Sequence, residues 1–284
     1  MNIFLKRIFS IFVSTVFTLN LFGCATSLKI HPEFKERHKL IKDVSLMVPE
    51  IDAYILTFKG EKKRLYDLIP AMEETTTDVL EQIFSHKGYV VKELDLSEEV
   101  LKKDPELRTS LFHVNELFKK ALIDIAKRKK KKFTYTLGSE VNIFADLADC
   151  DILIFVKEEG IKKSVGEIVK DVVKGCVLSA AFILVGAIYV PIPRTYATLA
   201  QIAVVDVNDG SVLWYNDNSR NINWNPEDQK QLSGLIRSLI KPFPKSVFSN
   251  EVKEEKMKSL LIDNMSEQKE LEKSVSEGGL VPTP

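Results

Sequence analysis

Apolar residues recur every three or four positions through two long stretches of the chain. Between Leu65 and Phe84 they fall at Leu65, Leu68, Ile69, Met72, Val79, Leu80, Ile83 and Phe84, and between Pro105 and Arg128 at Leu107, Leu111, Val114, Leu117, Phe118, Leu122 and Ile125. Such spacing lies on one face of a 3.6-residue helix, so each stretch predicts an amphipathic helix, the first stopped near Gly88. Shorter runs behave differently. "VSLMVP" and "AYILTF", parted by Pro49-Glu50, predict one bent strand or two, and "YVVKELDL" a further strand. "DILIFV" is a continuous apolar run of the kind buried on both faces of a covered sheet. After it, "KKSVGEIVKDVVKG" predicts a helix leading into "CVLSAAFILVGAIYVPIP", Cys176 to Pro193, which carries no charge.

Two β-prone runs then flank Asn208-Asp209-Gly210, a hairpin signal because these residues tolerate the positive φ of a tight turn. A last helix is predicted after Pro226, with Leu232, Leu235, Ile236, Leu239 and Ile240 along one side and Pro242 and Pro244 closing it. The order of strands and helices predicts an α/β layered sheet with flanking helices, ending in a carboxy-terminal β-hairpin and helix. Its expected bounds are residues 44–243. Residues 24–43, polar and weakly periodic, are expected to be a tether, and residues 244–284, rich in Lys, Glu, Ser and Gln, a charged tail with too little apolar surface to fold alone.

The amino terminus alters where this domain is placed. Lys6 and Arg7 precede an apolar stretch, Ile8 to Phe22, in the pattern of a processing signal over residues 1–23. The stretch ends in Leu21-Phe22-Gly23-Cys24, which resembles the lipobox of bacterial lipoproteins. That resemblance implies diacylation of the Cys24 sulfur, cleavage of the bond before it and acylation of the new amino group, and, with Ala25 rather than Asp following, a lipid anchor at the periplasmic face of the outer membrane. Several acyl chains, at about 0.8 kcal/mol per buried methylene, anchor a protein without any spanning helix. Cys176–Pro193 offers 18 residues with Pro191 and Pro193 at its end, short of the roughly 20 a spanning helix needs. A helix buried against the sheet fits it best; an apolar patch that meets a bilayer or partner through Phe182, Ile183, Ile188 and Tyr189 is the sharper alternative.

Charge excludes little but limits partners. The chain has 40 Lys and Arg and 40 Asp and Glu; without Lys6 and Arg7 the formal charge is −2, and nucleic acid is not an expected partner. One run stands out: Lys127, Arg128, Lys129, Lys130, Lys131 and Lys132 close the second helix. A helix carboxy terminus favours cations, and the same cluster suits anionic lipid head groups or a negatively charged envelope polymer.

Candidates for catalysis are weak. His31, His38, His86 and His113 are scattered, and none has zinc-ligand spacing. Asp206, Asn208 and Asp217 match three positions of a calcium loop, but Gly210 falls one residue early, so a hairpin is the better account. Asp146, Asp149 and Asp151 precede a strand, where turn formation and helix termination explain them. Trp214, Tyr215 and Trp224 are expected in the core. Cys150 and Cys176 are compatible with a periplasmic disulfide or with two buried thiols. No phosphate loop or nucleophile elbow occurs. The expectation is a protein that is not an enzyme and takes no cofactor or metal.

"VSLMVP", "HKGYVV", "CDILIFV" and above all "AQIAVVDVNDGSVLW" together resemble the α/β module of lipoproteins related to the curli secretion channel and of TolB-type amino-terminal domains. The resemblance covers roughly residues 44–243 and its motifs are structural, so it implies a fold and no functional residue. The expected function is a lipid-anchored envelope protein that binds another envelope protein in assembly or export. The alternative is a subunit of an oligomeric outer-membrane secretion pore, which would make the chain a homo-oligomer.

Overall fold

The run Ile152–Val156 seeds the longest strand among the described residues, and the rest of the sheet is organised on it. The computed structural model describes residues 27–127, 133–166, 195–219 and 221–249. In chain order the elements are β1 (Lys29–Ile30), α1 (Phe34–Arg37), β2 (Asp43–Leu46), β3 (Glu50–Leu56), β4 (Lys62–Arg64), α2 (Ile69–His86), β5 (Val90–Lys92), α3 (Glu98–Lys103), α4 (Pro105–Lys127), α5 (Asn142–Ala148), β6 (Ile152–Lys163), β7 (Tyr196–Asp206), β8 (Val212–Asp217) and α6 (Gln229–Ile240).

β7 runs antiparallel along one edge of β6, from Ile152 opposite Asp206 to Lys162 opposite Tyr196. β8 and then β1 continue antiparallel on that side. The other edge of β6 carries two strands in succession. β2 pairs in parallel with Ile152–Ile154, and β3 in parallel with Lys157–Lys163. β5 then adds to β2 in parallel and β4 to β3 antiparallel, so the sheet forks.

The fork has a local cause. Leu46 sits opposite Ile154 and Glu50 opposite Lys157, so the β2–β3 chain takes one residue more than its partner, as in a β-bulge. Side-chain parity flips across the extra residue: Val44 and Leu46 face the same core as Ile51 and Ala53. Pro49, at the interruption, has no amide hydrogen to give to a ladder.

Alternation along β6 sets the layers. Ile152, Ile154 and Val156 enter one core, Leu153 and Phe155 the other, as a period of two requires. α2 and α6 cover the first face with Met72, Val79, Leu80, Phe84, Leu232, Leu235, Ile236 and Leu239. α4 and α5 cover the second with Val114, Phe118, Leu122, Ile125 and Phe144. Each such buried side chain contributes about 1.5–3 kcal/mol. α6 is started by Asp228, whose carboxylate accepts from the amides of Lys230 and Gln231, a cap that satisfies two otherwise unpaired donors. The mixed α/β architecture predicted from pattern is thus present, with hairpin β7–β8 and helix α6 at its carboxy-terminal end.

Three boundaries differ from expectation. The residues expected to be a tether are folded from Lys29: β1 extends the sheet beside β8, and Phe34 and His38 join an aromatic cluster with Phe84, Tyr89, Trp214 and Phe243. Arg37 locks this segment down by ion pairs to Glu33, Asp206 and Asp209. Single aromatic anchors and a two-residue strand leave no periodicity for sequence to show. At the other end, residues 244–249 also pack: the Ser246 amide donates to the Lys87 carbonyl at 2.9 Å, and a Cβ on Gly88 would meet Ser249 at 2.3 Å. Finally, Lys162 and Lys163, expected to begin a helix, complete β6, because ladders to β3 and β7 on both sides hold them extended.

Candidate functional site

β2 is a switch point of the topology. The crossover to β5, on one side of β2, carries α2 on one face of the sheet; the connection to β6, on the other side, carries α4 and α5 on the opposite face. Crevices beyond the carboxyl ends of strands at such points are the usual binding places of open α/β sheets. Here β3 fills the place beside β6 beyond the end of β2, and a cleft of about 550 Å³ opens instead between the carboxyl ends of β2 and β5. Its lining comes from the β2–β3 connection (Leu46, Met47, Val48, Pro49), from the end of β5 (Val91, Lys92, Glu93, Leu94) and from α2 (Glu73, Thr77, Glu81, Ser85).

The α2 residues are spaced by four, which places them along one stripe of the helix. Three carboxylates (Glu73, Glu81 and Glu93) and two hydroxyls rim the cleft, while Leu46, Val48, Pro49, Val91 and Leu94 give it apolar surface. Its one cation, Lys92, is within ion-pair distance of Asp43 (3.9 Å) and Asp149 (3.8 Å). The cleft therefore offers acceptors and apolar contact together, suited to a segment carrying cations or amide donors on an apolar body. Among the described residues no group of His, Cys, Asp and Glu is arranged to hold a metal ion.

The other candidates resolve into structural roles. Asp149, at φ +49°, closes α5 in the left-handed region. Asp151 accepts from the amides of Lys42 and Asp43 at 2.7 and 2.9 Å, fastening the start of β2 to that of β6. Asp206 accepts from the Asn208 amide within the turn, while Asp217 lies at the far end of β8 and accepts from Tyr215 Oη at 2.8 Å, so the three calcium-loop positions do not converge. Gly210, at φ +68°, supplies the turn conformation instead. Cys150 is buried, which pushes its thiol up to about 12. His38 bonds Tyr89 Oη at 2.6 Å and is lowered by burial; His113 meets Glu140 at 2.8 Å. Trp214 and Tyr215 are fully buried on opposite faces, and Trp224 packs on the α2–α6 core.

Pattern reading overlooked Glu158. It lies on β6 among residues that look solvated, yet it is fully buried and accepts from Thr76 Oγ1 at 2.8 Å. Its second oxygen has no hydrogen-bond partner, and desolvation pushes the carboxyl up to about 7. The alternation Ile152, Ile154, Val156 carried two residues further would have placed it on the inner face.

Cys24, Arg128, Lys129, Lys130, Lys131, Lys132, Phe182, Ile183, Ile188 and Tyr189 lie outside the described residues, as does Cys176; Lys127 is the last residue of α4, its side chain outside the description. Among the described residues no helix is long and apolar enough to cross a membrane. No family model matches this chain, and no curated protein matches it either.

Proposed function

We propose that this is a lipid-anchored protein of the outer membrane's periplasmic face that binds another envelope protein during assembly or export, without catalysis, and that the partner seats in the cleft at the sheet fork. The cleft carries this reading. It is open, it lies beyond the carboxyl ends of β2 and β5, and it joins an acidic rim to an apolar lining contributed by three separate segments. The lipobox-like Leu21-Phe22-Gly23-Cys24 supplies the anchor in the same reading.

Two measurements test it in cells. A photo-reactive residue at Val48 or Thr77, inside the cleft, should give one discrete cross-linked species, which Glu73→Lys with Glu81→Lys should remove; a photo-reactive residue at Gln229, away from the cleft, should give none. Cys24→Ser should release the protein from the membrane fraction. Cross-links indifferent to the charge reversals would refute the cleft, and a membrane-bound Cys24→Ser chain would refute the anchor.

A further inference from the structure

The chain leaves the described fold at one end of the cleft. After α6 it crosses the end of α2, where the Lys87 side chain donates to the Lys241 and Phe243 carbonyls, Tyr89 Oη to the Pro244 carbonyl, and the Ser246 amide to the Lys87 carbonyl. Phe243 and Ser246 are buried in that crossing. Ser249, the last described residue, lies against Gly88, close enough that a Cβ there would overlap it. Gly88 in turn donates its amide to the Ser85 carbonyl at 3.0 Å, and Ser85 is the last of the α2 residues that line the cleft. The chain after Ser249 therefore begins beside the cleft's Ser85 end.

The residues that follow carry the chemistry that the cleft lacks. Glu73, Glu81 and Glu93 rim it, and among the described residues none of the three is ion-paired; its Lys92 is already within reach of Asp43 and Asp149. Residues 250–284 lie outside the described residues, but their sequence is not uniform. Glu251, Glu254 and Glu255 precede, and Asp263 follows, an acid-free stretch, Lys256-Met257-Lys258-Ser259-Leu260-Leu261-Ile262. It holds two cations and four apolar residues, the counterpart of an acidic rim above an apolar floor of Leu46, Val48, Val91 and Leu94. Reach is sufficient. From Ser85 to Glu73 the stripe of α2 is about 18 Å long at 1.5 Å per residue, and residues 250–255 span up to about 20 Å at roughly 3.3 Å per residue, so Lys256 and Lys258 come within reach of Glu81 and Glu73.

We propose that residues 256–262 of the same chain seat in the cleft, with Lys256 and Lys258 against the rim carboxylates and Leu260, Leu261 and Ile262 on the apolar floor, and that the envelope partner must displace them. The inference rests on the proposed function for that partner, and on the cleft alone for the contact itself. A short tether gives an attached segment an effective concentration on the order of millimolar, so even a weak contact keeps the cleft occupied until a tighter ligand arrives. Glu255 and Asp263, at the two ends of the stretch, are repelled by the same rim and confine the contact to the residues between them.

The test uses the purified full chain in detergent with a photo-reactive residue at Thr77. The expected product joins position 77 to a peptide within residues 256–262 at the mass of a single chain, identified by mass spectrometry after digestion, with a yield independent of protein concentration. Glu73→Lys with Glu81→Lys should reduce the yield several-fold, as should Lys256→Glu with Lys258→Glu, and the four substitutions together should restore it. Three results would overturn the contact: no cross-link to that stretch, a product only at twice the mass, which would make the occupant a second copy, or a yield indifferent to the charge reversals. In cells, Lys256→Glu with Lys258→Glu should raise the partner cross-link from Val48; a partner cross-link that stays level would overturn the displacement while leaving the partner in place. A cross-link to residues 256–262 in the purified chain, with no partner captured in cells, would uphold the contact and remove the proposed function instead.

Discussion

Replacing Glu158 by Gln should change how stability depends on pH, and the size of the change follows from the site. The carboxyl is fully buried on the α2 side of β6, with one hydrogen bond from Thr76 and one oxygen without a partner. In the unfolded chain it titrates near the usual 4.5, and in the fold near 7. The folded form therefore holds a proton that the unfolded form releases between those values. Stability from this group is complete below pH 4.5, declines from there, and is lost once the pH passes 7. At 1.36 kcal/mol per pH unit the total is about 3 kcal/mol, a large part of the 5–15 kcal/mol typical of a whole domain.

Gln keeps the shape and an acceptor for Thr76 but cannot ionise. Its amide hydrogens replace the unpartnered oxygen, at a cost of about 1–3 kcal/mol for an unmet donor. Below pH 4.5 the variant should thus fall below the parent by up to about 1–3 kcal/mol, and at pH 8 the gap should have shifted in its favour by about 3 kcal/mol. For a domain of this size that is a relative shift of roughly 6–12 °C in Tm. Urea unfolding followed through Trp214 emission, repeated from pH 4.5 to 8, measures it. The comparison must be between the two chains, because burial lowers His38 and gives the parent a contribution of opposite sign. Parallel pH profiles for parent and variant would refute the argument.

Other substitutions probe the packing. Phe243→Ala removes the ring shared by Phe34, His38, Phe84, Tyr89 and Trp214 and should cost about 3–5 kcal/mol in urea unfolding. Gly88→Ala meets both a φ of +85° and Ser249 at 2.3 Å; it should lower stability by at least about 1 kcal/mol and speed proteolysis after residue 245. Deleting Val48 removes the extra residue of the β2–β3 connection, so the fold should survive, by circular dichroism, while cross-linking from Thr77 falls.

Long-period features were legible in the sequence, and features made by single contacts were not. α2 and α4 each carry apolar residues on a repeat that packing later used, and Asp209-Gly210 marked its turn because positive φ narrows the residue choice. The segment Lys29–Leu40 gave no such signal. It is held by a two-residue ladder, an arginine clamp and one buried ring, and each of these depends on partners at least 169 positions away. Glu158 was overlooked and Lys162 read as helical for a related reason: β6 gains its length from ladders on both edges rather than from its own apolar content.

The cleft at the sheet fork is the clearest case of such non-local geometry. A continuous β2–β3 strand would have paired evenly with β6 and offered one uninterrupted outer edge. One extra residue between Leu46 and Glu50 divides that edge instead. β5 can then follow only the first half and β4 only the second, and the space between them opens beside the Glu73–Ser85 stripe of α2. Pro49 in the sequence signals an interruption without naming its consequence. The parity of burial names it: Val44 and Leu46 at even positions, Ile51 and Ala53 at odd ones, all reach the same core. A slip of one residue would ordinarily turn every side chain of a strand to the wrong face. Here the sequence changes parity at the bulge, so its apolar pattern is written for the forked sheet and not for a straight one.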